Sequence, residues 1–136
     1  MFKNILIPVD FSKHNHETVT AAQALADRNK GQITLLHVIE LIAETDRHGE
    51  LDSFYDDLEG QAIEKFTPLQ ALAAQANCEV VFGDRVEEIL NYADSHDVDL
   101  IVMSSRRVDP QNPGENLGTI SQRIGILAQC PVLLMK

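Results

Sequence analysis

Dense runs of isoleucine, valine and leucine alternate along this chain with longer stretches whose apolar residues recur at helical spacing. Asn4 to Val9 (NILIPV) has the density of a strand buried on both faces of a parallel sheet, and it ends at Asp10. Ser12 is placed to cap a helix carrying Val19, Ala22, Leu25 and Ala26 on one face, which Asn29, Lys30 and Gly31 should stop. Ile33 to Val38 (ITLLHV) repeats the buried-strand pattern, and the acidic stretch from Glu40 to Glu50, without steady period, reads as a mobile connection. Phe54, Tyr55, Leu58, Ala62, Phe66, Leu69, Leu72, Ala73 and Ala76 then follow one face for about seven helical turns, with Pro68 inside the series to kink or restart it.

The second half repeats the alternation. Cys78 to Phe82 predicts a third strand, and Asp84 followed by Glu87 is a capping-box signature for a helix bearing Val86, Ile89, Leu90 and Ala93. Asp99 to Met103 (DLIVM) predicts a fourth strand, the loop SSRRVDPQNPGENL follows, Ile120, Ile124, Leu127 and Ala128 mark a last helix, and Pro131 to Met135 a fifth strand. Strands alternating with helices call for right-handed crossovers and a doubly wound parallel sheet, an α/β fold with helices on both faces. Ligands of such sheets bind beyond the carboxyl ends of the strands, where the winding reverses, so the loops after strands one, two and four are the ones to inspect.

Composition sharpens this. The 136 residues are 44% apolar, enough for one core and short for two, so residues 1–136 are expected to form a single domain. A formal charge of −10, from 21 acidic and 11 basic residues spread along the chain, argues against nucleic acid or an anionic membrane as partner. No apolar run approaches a bilayer span, and MFKNILIPVD is too brief an apolar stretch for a signal peptide, so a cytoplasmic location is expected. Cys78 and Cys130 lack CxxC spacing and are expected to be reduced thiols.

Two segments could carry chemistry. In Pro8-Val9-Asp10-Phe11-Ser12 the Asp10 carboxylate either accepts hydrogen bonds from a base amino group or a ribose hydroxyl, or helps to cap the following helix. Gly118-Thr119-Ile120-Ser121 opens the last helix. Its free amides and dipole suit a phosphate, while Gly118 as a tight turn and Thr119 as a cap give the simpler account. The chain has no GxxxxGK[ST] loop, GxGxxG turn or GxSxG elbow. His14 and His16 are two apart, unlike an i, i+4 metal pair, and Asp56, Asp57 and Glu59 read as a solvated helix face. His37, inside the second strand, reads as a satisfied core or rim histidine.

The opening ILIPVDFS, the stretch GDRVEEILNYADSHDVDLIVMSS and the ending LGTISQRIGILAQCPVLLMK, in that order, resemble the universal stress protein family over nearly the whole chain. The resemblance implies a Rossmann-like five-stranded sheet of order 3-2-1-4-5. It also implies a homodimer paired through the last strand, Pro131 to Met135, and an adenine nucleotide, ATP or AMP, with Mg²⁺. Pro8, Val9, Asp10 and Val38 would then line the adenine and ribose pocket, with backbone groups of Val38 reading the base. Met103, Ser104, Gly118, Thr119, Ile120 and Ser121 would surround ribose and phosphates.

Nucleotide-binding members carry Gly, two residues, Gly, nine residues, then Gly-Ser or Gly-Thr. Here only Gly118-Thr119 stands intact: Ser104 and Arg107 replace the first two glycines, and the span from Ser104 to Gly118 is one residue longer. The Arg106-Arg107 guanidinium groups could supply charge-assisted bonds in place of the missing glycine amides. The implied function is a non-enzymatic regulatory nucleotide binder acting with a protein partner. The alternatives are an interaction dimer that has lost its ligand and, last, a slow ATPase.

Overall fold

The structure, a computed structural model, describes residues 1–42, 49, 51–105, 110–112 and 119–136. Five strands, β1 (Asn4–Pro8), β2 (Gln32–Ile39), β3 (Asn77–Phe82), β4 (Leu100–Ser104) and β5 (Val132–Met135), join one sheet. The helices are α1 (His14–Asn29), α2 (Asp52–Lys65), α3 (Thr67–Gln70), α4 (Arg85–Ser95) and α5 (Ile120–Leu127). Every strand pair is parallel and the order is β3-β2-β1-β4-β5, as the alternation and the resemblance led us to expect. The chain winds outward from β1 to β3, returns past β1 to β4, and so reverses direction at the β1–β4 boundary.

Pleating assigns alternate strand residues to the two layers. Ile5, Ile7, Ile33, Leu35, Leu100 and Val102 pack with Val19, Ala22 and Ala26 of α1 and with Phe66, Leu69 and Ala73. Leu6, Leu36, Val38, Ile101 and Met103 meet Val86, Ile89 and Ala93 of α4 and Ile124 of α5. That is why β1, β2 and β4 read as continuous apolar runs.

Some local expectations are corrected. Asp84 caps α4 as expected, accepting from the Glu87 amide, but Ser12 does not cap α1. Its amide donates to Asp10, its carbonyl accepts from the Asn15 amide, and the helix begins beyond it without a side-chain cap. The long helix from Leu51 breaks in two, because Pro68 lies in the first turn of α3, and the chain beyond Gln70 runs in turns. Leu72, Ala73 and Ala76 still reach the core from those turns. At the end of α1 it is Lys30, not Gly31, that adopts the left-handed conformation (φ 55°). Glycine is needed at 31 because a Cβ there would stand 2.7 Å from the Phe2 carbonyl oxygen. The acidic connection falls mostly, and most of the loop after β4 falls, outside the described residues.

At the amino end of the sheet Asp99 clamps the start of β1. Its two carboxylate oxygens accept from the amides of Lys3 and Asn4, both at 2.9 Å, while the Asn4 carboxamide donates to the His96 and Asp97 carbonyls. Burial pushes the Asp99 carboxyl up, but those two amides and the nearby amino terminus outweigh it and hold the group below its ordinary value of 3.8. Its stabilising effect is therefore present above pH 3.8 and lost as the pH falls through the lower, folded-state value. Asp99→Ala should lower unfolding free energy by about 1–2 kcal/mol at neutral pH. In urea titrations the gap between variant and wild type should close in acid; a gap independent of pH would contradict the clamp.

Candidate functional site

The carboxyl ends of β1, β2 and β4 open on the side where the winding reverses, and the turn after β1 is built first. The Val9 amide donates to Leu36, extending the β1–β2 ladder by one bond, and then the chain leaves the sheet. The Asp10 amide donates to the side chain of Asn15 at 3.1 Å, and the Asp10 carboxylate accepts from the Ser12 amide at 2.9 Å. Asn15 is buried, so loop and helix are stapled together. Asp10 itself is exposed. Burial of part of its surface raises the carboxyl, but the Ser12 amide and hydroxyl and the Arg85 charge prevail and leave it below 3.8, so it is an anion at neutral pH.

Between these anchors Phe11 holds φ at 63°, a left-handed conformation costing an L residue about 1–2 kcal/mol. Its ring offsets that penalty by filling a slot: the His37 ring lies 4.4 Å away, the Phe66 ring meets it edge-on at 5.1 Å, and Lys65 Nζ stands 5.9 Å above it. His37 Nδ1 is 2.8 Å from the Val9 carbonyl, and because a carbonyl only accepts, Nδ1 carries the hydrogen. A cavity of about 250 Å³ opens here, lined by Asp10, Phe11, His37, Val38, Glu40 and, from the helices, Gln61, Lys65 and Arg85 among others. Arg85 faces Glu40 across it at 3.7 Å.

The end of β4 forms the other flank. Ser104 Oγ lies 2.6 Å from Thr18 Oγ1 of α1, while Ser105 accepts from the Ser121 hydroxyl at 3.0 Å and donates its amide to Met135. Thr119 caps α5 by accepting from the Gln122 amide, and its hydroxyl lies 3.3 Å from that of Ser121. The cap reading of Thr119 is thus realised, and a row of hydroxyls edges the crevice.

Of the residues singled out in the sequence, Asp10 and Val38 line the cavity, whereas Ser104, Thr119 and Ser121 belong to the hydroxyl flank with Ile120 beside them. Pro8 closes β1. Val9 has its amide and carbonyl both engaged and its side chain in the core, and Met103 is likewise a core residue. Arg107 and Gly118 lie outside the described residues. The cavity wall formed by Phe11, Gln61, Lys65 and Arg85 escaped sequence reading. Lys65 and Arg85 sit on solvated helical positions, and only the crossover topology shows that they turn toward the end of β2.

This geometry defines a doubly wound α/β protein with a cavity beyond β1 and β2, lined in part by Asp10, and a row of hydroxyls at the ends of β4 and α5 on the other side of the topological switch point. The family model described as "Universal stress protein family" matches residues 1–136, and the chain belongs to that family. It is 28% identical over 149 residues to the universal stress protein YxiE of Bacillus subtilis, with all of both chains covered. Among solved structures it is similar to the universal stress protein UspA from Lactobacillus plantarum, with a TM-score of 0.78, 25% identity, and 99% and 98% of the two chains covered. Two more distant structures share the fold at 16% identity: a universal stress protein in complex with cAMP (TM-score 0.71, 98% and 96% covered) and one from Archaeoglobus fulgidus in complex with dAMP (TM-score 0.69, both chains fully covered).

His37 gives the site a pH response. Burial pushes its imidazole below the ordinary 6.5, with Arg85 and Lys65 acting in the same sense and the Val9 carbonyl and Asp10 opposing them. The folded state therefore binds fewer protons at this residue than the unfolded state, and its stability declines as the pH falls below 6.5. Melting curves at about pH 7.5 and 5.5, values straddling the histidine range, should show a smaller acid-induced drop for His37→Gln than for wild type. Equal drops would contradict the assignment.

Proposed function

We propose that this universal stress protein is a non-enzymatic regulatory module that binds an adenine nucleotide, ATP or AMP, and acts as a homodimer. The observation that carries the reading is the ionised Asp10 at the end of β1, beside a cavity reaching under the end of β2. Asp10 would accept from ribose hydroxyls or the base amino group, with Pro8, Val9 and Val38 shaping the floor. Thr119, Ile120 and Ser121 would meet the phosphates at the amino end of α5, with Gly118 and Arg107 in the preceding loop. The complexes of two fold relatives with cAMP and dAMP support the ligand class.

Mg²⁺ would arrive on the phosphates, keeping several of its waters. Among the described residues no group of three or more His, Cys, Asp or Glu side chains could cage an ion. Dimerisation is supported by β5, an edge strand with Leu133 38% exposed. An apolar edge of this kind invites pairing with a second copy.

A nucleotide that binds only the folded chain at about a hundred times its Kd adds about 2.7 kcal/mol of stability, a rise of several degrees in Tm. Millimolar ATP or AMP, with Mg²⁺ present or absent, should produce that rise, and Asp10→Ala should weaken calorimetric affinity about tenfold. No shift with either nucleotide would defeat the ligand reading and favour the interaction dimer. For the dimer, Leu133→Lys should convert a dimer into a monomer in light scattering, and a monomeric wild type would defeat it.

A further inference from the structure

Ser104 is the last residue of β4, at the mouth of the crevice, and it is followed by a second serine. The two hydroxyls are drawn to opposite sides. Ser105 joins Ser121 of α5, whereas Ser104 turns to α1, where Thr18 is 1% exposed beneath the end of the strand. Thr18 Oγ1 also lies 3.1 Å from the His14 carbonyl, a group that only accepts, so the single Thr18 proton is given to His14. Ser104 then donates to Thr18 Oγ1 at 2.6 Å, and its own approach to the His14 carbonyl is longer, 3.4 Å. The result is a short relay from Ser104 through Thr18 to the backbone of α1, each bond polarising the next.

Pleating points the Ser104 Cβ to the α1 face, with Leu100 and Val102, and leaves its hydroxyl three staggered positions. We propose that Thr18 is a positioning residue for the crevice: by accepting the Ser104 hydroxyl it holds that side chain against α1, out of the space beyond β4 where the nucleotide lies. The inference rests on the adenine-nucleotide reading above. It also gives a role to Thr18, which is buried and does not cap α1.

Thr18→Val keeps the shape and removes the acceptor. Ser104 is then freed to enter the crevice, and a bond of ordinary strength lost from the competent arrangement weakens ATP binding about three- to tenfold. Calorimetric titration of ATP into the full chain should show that loss for Thr18→Val, while Thr18→Ser, which retains the acceptor, stays within about twofold of wild type. In the Ser104→Gly background no side chain remains to swing, so adding Thr18→Val should leave affinity within about twofold of Ser104→Gly alone. Thr18→Ala makes the same comparison should valine disturb the helix.

A loss from Thr18→Val of the same size in both backgrounds would assign the threonine a purely helical role and overturn the inference. So would wild-type affinity in the single variant. A wild-type chain that binds no ATP would remove the nucleotide reading and this inference together, whereas binding with no Thr18 effect would remove this one alone.

Discussion

β1 is covered on both faces by helices and paired on both edges by parallel strands, so within Ile5, Leu6 and Ile7 there is no place where a polar side chain could meet water. A strand under that constraint can carry chemistry only at its ends. Its amino end is gripped by Asp99 through two backbone amides. Its carboxyl end breaks out at Asp10, where freed backbone groups find new partners: His37 takes the Val9 carbonyl, Asn15 the Asp10 amide, and the Asp10 carboxylate the Ser12 amide. The same constraint sets the shape of the crevice: β2 runs three residues past the partner of Pro8, to Ile39, while β1 gives way to loop, so the end of β2 walls the space beyond β1.

The energetics of that break are local and opposed. Phe11 is held in a conformation an L residue resists, and the aromatic slot between His37 and Phe66, with Lys65 above, compensates. Asp10 stays charged because Ser12 and Arg85 outweigh its burial, while His37 stays neutral because burial and the same Arg85 act on it together. Arg85 thus works on both groups with opposite sign of benefit, favouring the anion and disfavouring a second cation.

The sheet order, the apolar faces and the Asp84 and Thr119 caps were legible in the sequence because each rests on neighbours a few residues apart. Pro68 announced the break between α2 and α3 for the same reason. The Ser12 cap misled because a competing partner, Asp10, is equally local and engages the serine hydroxyl as well as its amide. Gly31 marked the right boundary for a different cause: the obstacle to a side chain there is the Phe2 carbonyl, nearly thirty residues earlier. Asp10 and Val38 were visible at the crevice because topology alone places strand ends there. Lys65, Arg85 and the Thr18–Ser104 bond were not, since each depends on which helix crosses which strand end, and helical periodicity reports only a buried face and a wet one.

The Asp99 clamp also bears on how the molecule is made. β1 leaves the ribosome before the other four strands, and β2 and β3 can pair on one side of it while the chain is still growing. Its other edge stays open until β4 arrives, some ninety residues later, and brings the carboxylate that locks the start of β1. Until then one edge of β1, with Ile5, Leu6 and Ile7 between its faces, stays bare, and the two flanks of the crevice cannot meet.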